Sequence, residues 1–289
     1  MKNQKFGVEI ELTGITRNNA AKVIANYFGT SVNHAGSGYD TYTAQDNKGR
    51  TWKVMSDGSI NTEGKSSLYS SEVVTPILQY EDIADLQEIL RQLRHKGAKA
   101  NSSCGIHIHV GAEKHTPKTL RNLVNIMASK QEIIYKALDI NANRESRYCK
   151  KLEESFVANI NRFKPSTASG IADIWYDGYG GNRSSHYNSS RYHGLNLHAV
   201  FTKGTVEFRL FNSTTHAGRL KTYIQFCLAI NNQALKQKYA SPIATVSDNE
   251  CYTFRTWLLR LGLIGEEFKT ARKFLLENLE GDIAWRHAS

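Results

Sequence analysis

Short stretches of this chain alternate apolar and ionisable residues with period two, and no other feature constrains the fold as tightly. Phe6 to Leu12 reads Phe-Gly-Val-Glu-Ile-Glu-Leu. Period two is the mark of a β-strand with two unlike faces. Glu9 and Glu11 share one face; Val8, Ile10 and Leu12 share the other. Ile106 to Val110 repeats the pattern, with His107 and His109 opposite three β-branched residues, and Val206 to Leu210 sets Glu207 and Arg209 opposite apolar neighbours. A fourth run, Ser70 to Val74, adds Glu72. In one sheet, these strands make a Glu/His/Arg face and an apolar floor for helices. Such one-sided alternation predicts a mainly antiparallel sheet with helices on the other face, hence an α+β fold.

Two carboxylates on one strand face stand roughly 6–7 Å apart and repel each other. A divalent cation converts that repulsion into a binding site. A solvated strand face normally mixes Lys, Thr, Ser and Gln, whereas these outward positions hold Glu, His and Arg. Oxygen donors dominate, which suits Mg²⁺ or Mn²⁺. The two histidines leave a Zn²⁺ site open.

Between these strands the chain reads as helices and turns. Arg17 to Phe28 has helical spacing and ends at Gly29. Residues 31–49 read as a polar loop with a short strand, and Thr51 to Met55 as a strand. Ser56 to Ser59 forms an Asp-Gly turn in which Asp57 is either a turn former or a site residue. Tyr80 to Lys96 carries an apolar stripe, and Thr116-Pro117 opens a helix to about Leu138. A further helix is expected near Leu152 to Asn161. Residues 163–194, rich in Ser, Gly, Asn and Tyr, read as a lid or clamp loop. Thr202-Lys203-Gly204 signals a hairpin turn. Helices are expected at Gly218 to Tyr239, Tyr252 to Leu261 and Glu266 to Leu279. The expected division is a catalytic sheet domain over 1–215 with a helical segment, 216–289, packed on it.

Length and charge bound the partners. At 289 residues the chain can bury a full core, and a net charge of +10 favours an anionic partner. Cys104, Cys149, Cys227 and Cys251 are scattered without CxxC spacing, which argues against a disulfide framework or zinc ribbon. The first strand begins too early for a signal peptide, and no apolar run approaches ~20 residues. A cytoplasmic protein without a membrane partner is expected.

The set Glu-x-Glu, Glu, His-x-His and Glu-x-Arg, in that order and each on a strand, resembles the amidoligase family of the carboxylate–amine ligase superfamily, to which glutamine synthetase and γ-glutamylcysteine synthetase belong. The matching segments are FGVEIEL (6–12), WKVMSDGSI (52–60), SSEVVTPIL (70–78), CGIHIHVG (104–111) and LNLHAVFTKGTVEFRLFNST (195–214). The resemblance implies a glutamine-synthetase-like catalytic face, ATP and Mg²⁺ (or Mn²⁺) as cofactors, and an acyl phosphate that an amine attacks to form an amide. It implies that Glu9, His107 and Glu207 hold one metal and Glu11 and Glu72 a second. It further implies that Arg209 stabilises the transferring phosphoryl group and His109 contacts ATP phosphates. Asp57, in a family-like DGS turn, would meet the amine or a metal. Lys53 meets phosphate or is solvated, and Glu63 is a supplementary carboxylate. Phosphoryl transfer needs this combination, because carboxylates alone repel ATP.

Substrate is less legible. Arg144 and Arg147 either bind a substrate carboxylate or begin a solvated helix, and Arg183 and Arg191 of the 163–194 segment could grip phosphate or carboxylate. The expected partners are a small-molecule, peptide or polymer carboxylate and an amine; the oligomeric state stays open. Two other readings stand beside this one: a metal-dependent hydrolase on the His-x-His strand, and a basic nucleic-acid binder.

Overall fold

The computed structural model describes residues 1–285. The chain runs β1 (Phe6–Leu12), α1 (Arg17–Phe28), β2 (Val32–Gly36), β3 (Thr41–Gln45), β4 (Thr51–Met55), β5 (Ser71–Val74), α2 (Ile83–His95), β6 (Gly105–Gly111) and α3 (Pro117–Ala137). It continues through α4 (Ala142–Arg147), α5 (Glu154–Phe163), α6 (Ala168–Trp175), β7 (Leu195–Asn196), α7 (His198–Lys203) and β8 (Thr205–Asn212). The last elements are α8 (Ala217–Lys236), α9 (Glu250–Arg260) and α10 (Lys269–Leu276). The strands form one sheet of eight in the order β2-β3-β4-β5-β1-β6-β8-β7. The α+β class is borne out. No helix among the described residues is long and apolar enough to cross a membrane.

Two compact units make up the chain. The first comprises Lys2–His109 with Phe211–Lys221. Its strands β2, β3, β4, β5 and β1 pair antiparallel in that order. Val8, Ile10, Leu12, Val54 and Val73 turn to one face and are buried there, as the alternation requires. Helix α1 packs across β3 and β4, and α2 packs on α1. Thr16 caps α1 by accepting the Asn19 N–H, and Gly29 ends it in the left-handed region at φ 68°. Ile83, Leu86, Ile89, Leu90 and Leu93 form the buried stripe of α2. Gly14 needs its missing side chain: a Cβ there would lie 2.4 Å from the Gly97 carbonyl oxygen. The backbones meet because Thr13 and Lys99 exchange N–H···O bonds at 2.8 and 2.7 Å, anchoring the end of β1.

The second unit comprises Val110–Leu210 and the chain from Thr222. Thr116 caps α3 reciprocally with Thr119, and Pro117 occupies its first turn. Phe226, Phe254 and Trp257 pack ring on ring between α8 and α9.

Three expectations need correcting. Residues 31–49 hold two strands rather than one, because residues 37–40 turn the chain back between β2 and β3, with the Asp40 N–H bonded to the Ser37 carbonyl at 3.1 Å. The 163–194 segment is not a plain loop: Thr167 caps α6, whose Ile171 and Trp175 are buried. Thr202-Lys203-Gly204 is not a hairpin turn by itself: β7 and β8 pair antiparallel, but α7 lies between them. Asn196 Oδ1 accepts the His198 N–H at 2.9 Å, α7 begins there, and Gly204 ends it at φ 67°.

Candidate metal centre

Strand register assembles the acidic face of the first unit. Glu11 of β1 stands directly opposite Glu72 of β5, and Glu72 opposite Met55 of β4. One step along, Glu9 stands opposite Val74, and Val74 opposite Lys53. Directly opposed residues share a face. Glu9, Glu11, Glu72 and Lys53 are therefore coplanar, with Lys53 two strand spacings, roughly 10 Å, from Glu9. Lys53 is exposed. Like charges directly opposed destabilise a sheet, and a cation between Glu11 and Glu72 would relieve that repulsion.

Histidines lie against these carboxylates. His107 Nδ1 is 3.1 Å from Glu9 Oε2, and its Nε2 is 3.6 Å from Glu11 Oε1. His109 Nε2 is 3.2 Å from Glu9 Oε1. A neutral imidazole donates from one nitrogen only. A cation set among Glu9, Glu11 and His107 would meet donors of both kinds, carboxylate oxygen and imidazole nitrogen. Glu11, 4% exposed, also accepts the Gly105 N–H at 2.5 Å and passes its own carbonyl to the Ser213 hydroxyl at 2.6 Å.

Within the first unit, two groups of three ligands follow. Glu9, Glu72 and His107 form one; Glu11, Asp57 and Glu72 form the other. Within each, the ligand atoms lie within 4.8 Å of one another. Glu72 belongs to both, a position suited to a carboxylate bridging two ions. Oxygen donors with a single imidazole fit Mg²⁺ or Mn²⁺. Asp57 is a turn former that also falls within the second ligand group. Its Oδ1 accepts the Ser59 N–H at 2.7 Å and the Ser59 hydroxyl at 2.5 Å. Glu63 lies outside both groups, in an exposed turn where it accepts from Asn101 Nδ2 at 3.1 Å.

The second unit holds the Glu-x-Arg pair. Arg209 NH1 donates to Glu207 Oε1 at 2.6 Å, and Asn196 Nδ2 to Glu207 Oε2 at 2.8 Å. All three are buried. Asn196 pairs with Glu207 in the β7–β8 register, and the Arg209 guanidinium lies 6.0 Å from the Tyr192 ring centroid. His198 bonds Tyr176 Oη through Nδ1 at 2.6 Å, and burial draws its pKa down. Sequence reasoning named neither Asn196 nor Tyr192. Asn196 lies inside the LNLHAV segment, where its spacing from Glu207 could have revealed it; Tyr192 sends no such signal.

The remaining arginines separate. Arg144 is buried in α4, not solvated, with its guanidinium 5.9 Å from the Tyr148 ring; Arg147 is exposed. Arg183 is paired with Asp173 at 2.6 Å and lies over Tyr176. Arg191 donates to the His186 carbonyl at 3.1 Å between the Tyr187 and Tyr192 rings. The two arginines of the 163–194 segment thus spend contacts on ordering that segment.

A comparison with family models matches residues 2–231 to the family described as "Putative amidoligase enzyme". No curated protein matches the chain.

Proposed function

The chain belongs to the amidoligase family, and on that premise we propose that it is an ATP-dependent carboxylate–amine ligase working through an acyl phosphate on an acidic or peptidic substrate. The observation that carries this reading is the pair of ligand groups sharing Glu72. Four carboxylates and an imidazole crowded on one sheet face make chemical sense beside several cations and a polyanion.

Glu9, Glu72 and His107 would hold one Mg²⁺ (or Mn²⁺), and Glu11, Asp57 and Glu72 a second. Divalent ions there would neutralise phosphate charge and align the γ-phosphate with the acceptor carboxylate. Gly105 N–H fixes Glu11, and Ser59 fixes Asp57, so the ligand oxygens are oriented before any ion arrives. His109, held by Glu9, is proposed to meet ATP phosphate. Glu207 and Arg209 take their proposed roles, metal ligand and phosphoryl stabiliser, from the Glu-x-Arg motif. A planar guanidinium held through NH1 by the Glu207 carboxylate, whose other oxygen Asn196 Nδ2 fixes, is pre-set for that task. The hydrolase reading is weaker, since no three-residue ligand group among the described residues contains both His107 and His109.

Hydroxylamine trapping tests the proposal. Incubated with ATP, Mg²⁺ and pooled carboxylates or acidic peptides, the protein should yield a hydroxamate together with ADP and phosphate. ATP-independent release of amine from the same peptides, activated by Zn²⁺, would sink it.

A further inference from the structure

A groove of about 640 Å³ opens in the second unit, walled by Lys130 of α3, Gln237 of α8, Trp257 and Arg260 of α9, and Ile243 and Thr245 of the segment between α8 and α9. Apart from its α3 wall, it is lined by residues beyond 231, outside the family match. None of its lining residues is acidic.

Its polar atoms specify a ligand. Lys130 Nζ donates to Thr245 Oγ1 at 2.5 Å and lies 5.9 Å from the Trp257 ring centroid. Burial lowers the pKa of this amine, and the neighbouring Arg260 charge adds to the effect. Two like charges converging without a carboxylate leave a field that an anion would complement. Gln237 Oε1 is buried with no hydrogen-bond partner among the described residues, and a buried acceptor calls for a donor. Ile243, 79% exposed, adds an apolar wall.

We propose that this groove binds an acidic peptide segment: Lys130 and Arg260 take its carboxylates, Gln237 a main-chain N–H, and Ile243 an apolar side chain. A phosphate ion brings acceptors but no donor for Gln237. A nucleic-acid base finds no open face on Trp257, which is 7% exposed and packed 5.7 and 5.4 Å from the Phe226 and Phe254 centroids. The site goes beyond the ligase reading, which assigns nothing there.

Fluorescence anisotropy with a fluorescein-labelled, N-acetylated peptide of alternating glutamate and leucine tests this, in EDTA and without nucleotide. The wild type should bind it, and Glu9→Gln should bind it equally, so the result stands apart from the fate of the ligase reading. Lys130→Glu combined with Arg260→Glu should weaken binding about tenfold or more, the worth of a charge-assisted contact. The milder Lys130→Gln/Arg260→Gln variant covers the case in which charge reversal prevents folding. Gln237→Leu should weaken the plain peptide but not its N-methylated form. No binding by the wild type, unchanged affinity in the folded charge variants, equal binding of a lysine–leucine peptide, or displacement by equimolar inorganic phosphate or oligothymidylate would each overturn the proposal.

Discussion

Ser70 holds Asp57 from both sides of its peptide unit: the Ser70 hydroxyl accepts the Asp57 N–H at 3.0 Å and donates to the Asp57 carbonyl at 2.6 Å. Behind Ser70 stands Arg17, 4% exposed, whose NH1 donates to the Ser70 and Ser67 carbonyls at 2.8 and 2.7 Å. The same guanidinium is fixed by Asp40 Oδ2 at 2.9 and 2.6 Å. A chain of contacts thus runs from the β2–β3 connection to a carboxylate of the acidic face.

Cutting that chain should weaken metal binding without touching a ligand. Ser70→Ala should cost about 1–2 kcal/mol of stability and lower Mn²⁺ affinity roughly 10–100-fold, the usual range for a group that orients a ligand. Arg17→Gln should cost more, about 1.5–3 kcal/mol, by removing the charge-assisted bond to the buried Ser70 carbonyl together with those to Ser67 and Asp40. Urea unfolding and calorimetric Mn²⁺ titration measure both. Wild-type Mn²⁺ affinity in folded Ser70→Ala would remove Asp57 from the centre.

The Glu11–Glu72 opposition predicts effects of opposite sign. Glu72→Gln should raise the melting temperature of the metal-free protein, since relieving opposed like charges is worth about 0.2–1 kcal/mol. The same change should abolish stabilisation by Mg²⁺, because Glu72 serves both ligand groups. Thermal melts in EDTA and in Mg²⁺ read the two effects separately.

Mg²⁺ and a non-hydrolysable ATP analogue should act together. At 100 times its Kd, a ligand that binds only the folded state adds ~2.7 kcal/mol. The expected outcome is a melting shift larger with both than the sum of each alone, lost in Glu9→Gln. A shift with Zn²⁺ and none with nucleotide would favour the hydrolase reading instead.

Acid should loosen the first unit through Asp82. Burial raises the Asp82 carboxyl, but hydrogen bonds from Arg50, Lys48 and the Gln79 N–H outweigh it and hold the pKa well below the usual carboxylate range. A depressed folded pKa contributes stability that is fully present above the unfolded value, near ~3.9, and lost as pH falls through the folded one. Stability should therefore fall below about pH 4, more shallowly in Asp82→Asn, which should also cost about 1.5–3 kcal/mol at neutral pH by weakening the charge-assisted bonds from Arg50 and Lys48, Asp46 remaining a partner of Arg50. Unfolding curves across that pH range check both.

The cysteines should be inert in the folded protein. All four are buried, and burial lifts the Cys149 thiol to about 11. A thiol-reactive dye at pH 8 should label none of them natively and all four in denaturant.

Strands β1, β5, β6 and β8 and the facing of their side chains were legible in the sequence alone. Val8, Ile10 and Leu12 had to share one face once Glu9 and Glu11 took the other, because period two admits no other assignment. The stripe of α2 and the Thr116–Pro117 start of α3 were legible for the same local reason. The helix inside 163–194 was not: its polar, glycine-rich surroundings mask an apolar face formed by Ile171 and Trp175 alone. Tertiary structure alone decided register and support. That Glu11 faces Glu72 rather than a neighbour, that Asp57 joins them, and that Arg17 steadies Asp57 through Ser70 all depend on residues 13–61 positions apart in sequence. Such pairings are set by how strands slide and how buried polar groups find partners, which no local pattern of residues encodes.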